Sequence, residues 1–360
     1  MNSIYRYFPD NIRKVLEENK DNSFSLEEIR IRNNKPIILK YNTLEKSVRY
    51  YPNQDEMMTI LQLICENSIY SYQKQIAEGF VTLKGGHRVG LAGSCVIENG
   101  NVININYING FNFRISRQII GCSKLAIKFI LDVNKNQVKN TLIVSPPGAG
   151  KTTLLRDIIR QISSGIKNIK FKGQTVGVVD ERGEIASLYK GEAQNEIGSK
   201  TDIMEGVKKS IGMKMLIRSM SPKVIVADEI GGVDDIEIIK YAICSGCKGI
   251  FTAHGASFDD IYINPVLKEL INSHVFEVII FLDPKHRGDI LEVYKLNRKT
   301  VQYEKEENIE LKEYENFSGN NPLFYSFLSS QKQLIRIFIA SILHLSIKIL
   351  LSLKKLFINF

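Results

Sequence analysis

The most constraining feature of the sequence is a glycine-rich loop that joins a β-branched run to an amphipathic helix. Residues 145–153 read Ser-Pro-Pro-Gly-Ala-Gly-Lys-Thr-Thr, directly after the run Thr141–Val144. The residues that follow place apolar side chains at helical spacing, at Leu154, Leu155, Ile158, Ile159 and Ile162. A strand, a tight loop and a helix in this order are what a phosphate-binding (Walker A) loop requires. The pattern predicts a nucleotide site in an α/β fold.

Each residue type in this loop has a physical role. Gly148 and Gly150 let the backbone curl so that successive N–H groups face phosphates, and the start of the helix adds the positive end of its dipole. Lys151 can bridge the β- and γ-phosphates, and Thr152 offers a hydroxyl to Mg²⁺. The predicted ATP-binding residues are Pro147, Gly148, Ala149, Gly150, Lys151, Thr152 and Thr153.

The loop departs from the usual pattern at its first position, where Ser145 replaces a glycine. That glycine mainly eases the turn out of the strand, and Pro146-Pro147 can stiffen the turn instead. We therefore expect phosphate binding to survive the change.

A second apolar run, Val224–Ala227, ends in the carboxylates Asp228 and Glu229. Side chains at the carboxyl end of a parallel strand face the ligand crevice. Asp228 is therefore predicted to hold Mg²⁺ through water, and Glu229 to orient or deprotonate the water that attacks the γ-phosphate. The alternative is a solvated acidic turn. We favour the catalytic interpretation because a P-loop ATPase needs such a strand.

The run Val176–Val179 also has an acidic end, and two interpretations of it compete. Asp180 and Glu181 join the catalytic carboxylates, or Arg182 and Glu184 simply pair at the surface. We favour the first, because the ends of parallel strands meet at one edge of a sheet.

The run Gly249–Ala253 ends in a single histidine, His254. An isolated histidine is more often a satisfied core or loop residue than a sensor. Its place at a strand end of the same predicted sheet favours the functional interpretation. A neutral imidazole there could donate to a γ-phosphate oxygen or to the attacking water.

The rest of the chain predicts two folded domains and a separate tail. Thr141–Val144, Val176–Val179, Val224–Ala227, Gly249–Ala253 and Val278–Leu282 alternate with helical stretches, as in a parallel sheet covered on both faces. The predicted boundaries are 1–125 for a mixed α/β domain, 126–300 for the ATPase domain, 301–330 for an acidic linker and 331–360 for a basic tail.

In the first domain, Glu28–Arg32 and Pro36–Leu39 are predicted strands, and Asn99-Gly100 is a predicted hairpin turn. Apolar residues recur at helical spacing between Gln54 and Ala77, at Met57, Met58, Ile60, Leu61, Ile64 and Cys65.

Charge and cysteine content bear on the partner, the compartment and a possible zinc site. The formal charge is +9, and five basic and no acidic side chains lie between Gln331 and Phe360, so the basicity is weak evidence for a nucleic-acid partner. The chain has five scattered cysteines, which fits a reducing cytosol. Cys244 and Cys247 form a C-x-x-C with no second pair, which favours packing over a zinc site.

The order of Lys151, Asp180-Glu181, Asp228-Glu229 and His254 resembles that of the type II and type IV secretion ATPase superfamily. The segment Arg218–Pro222 resembles that group's approach to its Walker B strand. The resemblance implies a RecA-like P-loop ATPase core with a mainly parallel sheet, preceded by a smaller mixed α/β domain.

Other segments resemble one branch of that superfamily, the stage III sporulation protein AA family. They are Glu28–Arg32 with Pro36, Gly85–Gly93, Phe113–Arg117 and Val179–Glu184, and the resemblance runs from about residue 20 to 300. It implies a cytoplasmic homo-hexameric ATPase, peripheral to the inner face of the membrane, that uses ATP and Mg²⁺ and serves membrane channel proteins of a secretion-like complex between mother cell and forespore. It also implies that arginines reach the nucleotide across a subunit interface. Arg88, Arg114 and Arg117 are the candidates, with ordinary surface charge as the alternative.

The tail is apolar but interrupted by charge. Only 11 residues separate Arg336 from Lys348, fewer than the roughly 20 that span a bilayer. Its polar residues cluster on one side of a helical wheel, which predicts a basic amphipathic helix that contacts a membrane surface or a partner. Packing on its own core and a terminus altered by a frame change are the alternatives.

Two other function classes compete with a motor. A nucleic-acid-handling ATPase would need a basic groove with stacking aromatics, for which Tyr70, Tyr72, Lys74 and Arg88 are a thin basis. A scaffold with a purely structural ATP site is disfavoured, because every catalytic element is present.

Overall fold

The computed structural model describes residues 2–21, 25–41 and 44–307. These residues form a six-stranded and an eight-stranded sheet in succession along the chain. Both sheets belong to one compact unit. The boundary predicted near residue 125 falls between them and stays a prediction.

The first sheet is antiparallel throughout and has the strand order β3-β2-β1-β6-β5-β4. Its elements are α1 (Asn2–Tyr5), α2 (Asp10–Glu18), β1 (Leu26–Arg32), β2 (Ile37–Tyr41), β3 (Glu45–Val48), α3 (Gln54–Ile64), a 3₁₀ turn (Ile69–Tyr72), α4 (Gln73–Ala77), β4 (Phe80–Thr82), β5 (Arg88–Glu98) and β6 (Asn101–Arg114). Helices and sheet share an apolar cluster that includes Phe8, Ile29, Met57 and Phe113. The two predicted strands are confirmed as β1 and β2, and the predicted hairpin turn joins β5 to β6.

The helical pattern between Gln54 and Ala77 does not form one helix. α3 begins with a capping box, in which Asn53 and Glu56 satisfy each other's backbone N–H groups, and it ends at Ile64. Glu66 and Asn67 then adopt positive φ angles of 48° and 61°, which a helix cannot contain. The chain resumes helical structure only at α4.

The second half of the described chain alternates helices and strands. Its elements are α5 (Lys124–Ile130), β7 (Leu131–Asp132), β8 (Gln137–Val138), β9 (Thr141–Ser145), α6 (Lys151–Ser164), β10 (Gly165–Ile166), a 3₁₀ turn (Lys167–Ile169), β11 (Phe171–Lys172), β12 (Val176–Asp180), β13 (Leu188–Tyr189), β14 (Glu192–Ala193), β15 (Thr201–Glu205), α7 (Lys209–Met220), β16 (Val224–Ala227), α8 (Val233–Cys244), β17 (Lys248–His254), α9 (Phe258–Ile263), α10 (Pro265–Asn272), β18 (Val278–Leu282), β19 (Ile290–Asn297) and β20 (Gln302–Lys305).

The large sheet has the order β15-β12-β16-β17-β9-β18-β19-β20 and is parallel from β15 to β18. Every residue of β9, β12, β16 and β18 is buried. Ile143 packs in a cluster with Leu154 and Ile158 of α6, whereas Leu142 joins the opposite cluster with Met213 of α7. Burial on both faces explains the continuous apolar runs, and the predicted mainly parallel α/β fold is confirmed.

The turn between β4 and β5 contacts loops of the second sheet. The N–H of Gly85 donates to the Gln194 side chain at 2.8 Å. Gly86 has a φ of 74°, and a Cβ atom there would lie 3.3 Å from that of Ser187, so only glycine fits without strain. His87 follows and is 9% exposed, and its Nδ1 accepts a hydrogen bond from the Ser116 N–H at 3.2 Å.

Buried His87 predicts a pH-dependent stability. Burial lowers the pKa of His87 to about 4, whereas in the unfolded chain it lies near 6.5. The unfolded chain therefore binds the proton first. The contribution of His87 is complete above pH 6.5 and is lost progressively from pH 6.5 to 4, by on the order of 2–3 kcal/mol. The His87→Asn variant should lose this slope, and urea unfolding at pH 4.5, 5.5 and 7 measures it.

The free energy of unfolding is compared between wild type and variant at each pH, because Glu205 changes the stability in the opposite direction as the pH falls. Burial raises the pKa of Glu205 to about 7, so this group stabilises the fold more as the pH falls from 7 toward 4.5. An equal acid dependence in both proteins would contradict the role given to His87.

Among the described residues, no helix has the length and apolar character needed to cross a membrane. β20 lies at the start of the region predicted as an acidic linker. The remainder of that region and the tail at 331–360 lie outside the described residues, so the amphipathic helix stays a prediction.

Candidate functional site

The strand order of the large sheet brings distant sequence segments to one edge. β17 lies between β9 and β16, with His254 in register with Ser145 and Phe251 in register with Ala227. β12 lies on the other side of β16. The carboxyl ends of these four parallel strands therefore meet, which places the phosphate-loop lysine, Asp228, Glu229 and His254 together.

The glycine-rich loop has the curled backbone that its sequence predicts. Gly148 and Gly150 have φ angles of 79° and 96°, and Gly150 is the N-cap of α6. A Cβ atom at Gly150 would meet the backbone nitrogen of Gly288 at 3.1 Å, and that nitrogen donates to the Ala149 carbonyl at 2.9 Å. Ser145 is fully buried at the end of β9, which shows that the strand accommodates the departure from glycine.

Lys151 is held inside the loop by two neutral partners. Its side chain is buried, and its Nζ donates to the Ser145 carbonyl at 3.2 Å and lies 3.1 Å from Nδ1 of His254. Burial lowers the pKa of Lys151, and the carboxylates of Asp228 and Glu229 oppose that effect. A cation with only neutral direct partners is ready to exchange them for phosphate oxygens.

Thr152 and Asp228, the residues predicted to hold magnesium, are in direct contact. The Thr152 hydroxyl donates to Oδ2 of Asp228 at 2.7 Å, and the Thr252 hydroxyl donates to Oδ1 of Asp228. Hydroxyl and carboxylate oxygens are ligands that Mg²⁺ prefers. No cluster of three or more acidic, histidine or cysteine side chains suited to a metal occurs in the described part of the chain. The pair therefore fits a Mg²⁺ ion that draws its other ligands from water and substrate phosphates.

Glu229 has a fixed and unusual geometry. Its φ is 53°, and its backbone N–H donates to the Thr252 hydroxyl at 2.8 Å. Its Oε2 accepts from Arg182 at 2.7 Å, and its Oε1 lies 3.1 Å from Nε2 of His254. Left-handed backbone at a non-glycine residue costs free energy and persists where surrounding contacts determine it.

His254 bridges the lysine and the glutamate. A lysine ammonium can only donate, so Nδ1 of His254 accepts, and Nε2 is left to donate to the Glu229 carboxylate. The imidazole is half exposed at the strand end. The structure thus brings Lys151, Thr152, Asp228, Glu229 and His254 into one connected cluster.

The acidic end of β12 is arranged differently from the favoured prediction. Asp180 is 2% exposed and accepts hydrogen bonds from the backbone N–H groups of Glu184, Ile185 and Ala186, at 2.8 to 2.9 Å. Burial raises its pKa and these N–H groups oppose that rise. Asp180 therefore stabilises the loop that follows it, and Glu181 forms an ion pair with Lys209 at 2.6 Å. Neither joins the cluster, and a catalytic role of Glu181 stays a prediction.

The alternative prediction, a surface pair between Arg182 and Glu184, is wrong. Arg182 pairs with Glu229, and Glu184 pairs with Arg88 at 3.2 Å. Arg182 and Thr252 are the contributors that sequence reasoning missed. Thr252 lies within the apolar run Gly249–Ala253, which predicts a buried strand residue and no role in the site. The partner of Arg182 becomes visible only once β12 and β16 are known to be neighbours.

The three candidate arginines have different surroundings within the chain. Arg88 is half-buried and already engaged with its own chain. Arg117 is exposed but donates to the Leu26 carbonyl at 2.7 Å. Arg114, at the end of β6, is exposed, and its side chain has no hydrogen-bond or ion-pair partner within the described chain.

The aromatic residues considered for nucleic-acid binding do not form a stacking surface. Tyr70 is 91% exposed, but Tyr72 is only 7% exposed. Base stacking needs an accessible ring, and of these two tyrosines Tyr70 has one and Tyr72 does not.

A family model described as sporulation stage III, protein AA, matches residues 1–301. The stage III sporulation protein AA of Bacillus subtilis (strain 168) is 36% identical over 296 residues, which cover 82% of this chain and 95% of that protein.

Two solved structures share the architecture. The ATPase DotB of Legionella pneumophila has a TM-score of 0.52 and 15% identity, and the match covers 82% of this chain and 83% of that one. The ATPase DotB of Yersinia pseudotuberculosis also has a TM-score of 0.52, with 13% identity and 81% of both chains covered. This likeness shows the fold, and it confirms the predicted RecA-like core preceded by a smaller domain.

Proposed function

The chain belongs to the sporulation stage III, protein AA family, and from this premise we propose that it is a magnesium-dependent ATPase that works as a ring-forming motor of the secretion-ATPase type. One observation carries the proposal. A buried lysine at a curled glycine loop, a hydroxyl–carboxylate pair and a tethered glutamate meet at one edge of the sheet. These are the groups that phosphoryl transfer to water needs.

The residues divide the work by chemistry. Loop N–H groups and Lys151 bind the triphosphate, and Lys151 gives up the Ser145 carbonyl and the His254 ring to do so. Thr152 and Asp228 hold Mg²⁺, which when bound neutralises charge on the phosphates. Glu229 orients or deprotonates the attacking water, and the single N–H of His254 either steadies Glu229 or donates to a γ-phosphate oxygen.

The proposed motor is a cytoplasmic homo-hexamer, peripheral to the inner face of the membrane, that energises a sporulation channel together with membrane channel proteins. Family membership supports this assignment. Arg114 and Arg117 are the proposed residues that reach a neighbouring subunit's nucleotide, and the exposed, unpaired guanidinium of Arg114 is the better placed of the two. An arginine delivered in this way would spread transition-state charge and couple hydrolysis to subunit motion.

Assembly is tested by mass measurement in solution, with and without a non-hydrolysable ATP analogue and Mg²⁺. The expected result is a species of about six times the chain mass with nucleotide, because bound phosphates give the arginines of adjacent subunits a shared anionic partner. Lys151→Ala, measured in parallel, should not assemble in response to the analogue. A wild-type chain that stays monomeric at every nucleotide concentration would contradict the ring.

A further inference from the structure

We propose that Arg182 is a positioning residue for Glu229, and that Arg88 of the amino-terminal sheet anchors it. The amino-terminal sheet would thereby set the orientation of the carboxylate that acts on water. This inference rests on the proposed ATPase function and adds to it a specific link between the two sheets.

The first step is the contact itself. Nη1 of Arg182 lies 2.7 Å from Oε2 of Glu229, and the other carboxylate oxygen is engaged by His254. Both oxygens of Glu229 therefore have a charged or polar partner, which fixes the direction of the carboxylate. Removing Arg182 leaves one contact, about which the side chain can rotate.

The second step is the rigidity of the loop that carries Arg182. Asp180 ties the following backbone through three N–H groups, and the Gly183 N–H donates back to the Asp180 carbonyl at 3.3 Å. Gly183 has a φ of 64°, and a Cβ atom there would lie 3.1 Å from Oε1 of Glu205. The main chain at Arg182 is therefore fixed, and its guanidinium extends from a defined point.

The third step links this loop to the amino-terminal sheet. Nη1 of Arg88 donates to the Arg182 carbonyl and to Oε1 of Glu184, both at 3.2 Å. The Arg88 guanidinium also lies 3.5 Å from the centre of the Phe80 ring, so β4 and β5 hold it in place. The path from the first sheet to Glu229 therefore runs through two arginines in direct contact.

The physical need for such a residue comes from charge. A carboxylate that approaches a triphosphate is repelled by it, and a guanidinium paired with one of its oxygens offsets that repulsion. The arginine–glutamate pair is 65% exposed on the arginine side, so it contributes little to folding stability. A functional effect of its loss can thus be separated from unfolding.

The test is steady-state ATP hydrolysis by the full-length chain with Mg²⁺, comparing wild type with Arg182→Ala and Arg182→Lys. Arg182→Ala should lower kcat about tenfold while KM for ATP changes less than about twofold, because the lost contact orients the base and does not bind substrate. Arg182→Lys should recover part of kcat, since an ammonium supplies the charge without the planar fork. In a Glu229→Gln background, Arg182→Ala should cause no further loss.

The matched control is Arg298→Ala, which removes another exposed arginine that pairs with a glutamate, Glu277 at 2.9 Å, away from the site. It should leave kcat unchanged. If Arg182→Ala behaves like this control, the inference is overturned while the ATPase proposal stands. If its KM rises as much as its kcat falls, Arg182 binds substrate instead and the inference is also overturned. A wild-type chain without hydrolysis would overturn the ATPase proposal itself, and this inference with it.

The anchoring role of Arg88 is tested by Arg88→Met, which replaces the guanidinium by an uncharged apolar group and removes the hydrogen bonds. Its kcat should fall about three- to tenfold with an unchanged KM and an unchanged melting temperature. A kcat equal to that of wild type would contradict the anchoring role of Arg88, and only the positioning of Glu229 by Arg182 would stand.

Discussion

Replacing Lys151 by alanine is expected to raise the dissociation constant for ATP by roughly 100-fold, because two charge-assisted hydrogen bonds to phosphate oxygens are lost. The effect is large because the lysine is buried beside the loop, where its ammonium already donates to the Ser145 carbonyl. Equilibrium binding of a fluorescent ATP analogue in the presence of Mg²⁺ measures the loss.

The control for this variant is Lys223→Ala, which removes an exposed lysine just before β16. Both variants should keep the wild-type circular dichroism spectrum, since neither lysine belongs to the apolar clusters on the two faces of the large sheet. Unaltered ATP affinity in a folded Lys151→Ala protein would show that residues 145–153 are not the phosphate site.

Glu229→Gln is expected to bind ATP like the wild type and to lower kcat by about 100- to 1,000-fold, the usual contribution of a positioned general base. The amide has nearly the shape of the carboxylate and suits the same left-handed backbone, so the φ of 53° adds no new strain. A phosphate-release assay at saturating ATP measures kcat, and the binding assay above shows that the site is intact.

Glu269→Gln provides the matched control, because it neutralises another ion-paired glutamate, whose partner is Lys240 on the surface. Its turnover should equal that of the wild type. Wild-type turnover in Glu229→Gln would mean that another group activates the water. Glu181 would then be the first alternative to examine, since its predicted catalytic role is still open.

The central part of the site could be predicted from sequence because its elements carry their own local signatures. The glycine loop, the carboxylates after Val224–Ala227 and the histidine after Gly249–Ala253 each follow a buried run. Parallel strands present such residues at the same edge whatever their order, so the convergence of Lys151, Asp228, Glu229 and His254 needed no knowledge of strand neighbours.

Other features depended on information that local patterns lack. Arg182 is close in sequence to Glu184, yet it pairs with Glu229, because β12 and β16 are adjacent and Arg88 occupies Glu184. The end of α3 was missed because neither Glu66 nor Asn67 is a glycine, although both adopt positive φ. The edge strand β15 is half-buried along its length and has no continuous apolar run to reveal it.

The most direct test of the account is calorimetric titration of ATP into the folded full-length chain with Mg²⁺ present, at two temperatures so that a vanishing binding enthalpy at one is not mistaken for no binding. The account predicts saturable uptake at one site per chain, and loss of that uptake in Lys151→Ala. An absence of heat at both temperatures, in protein shown to be folded, would contradict the claim that these strand ends form a triphosphate site.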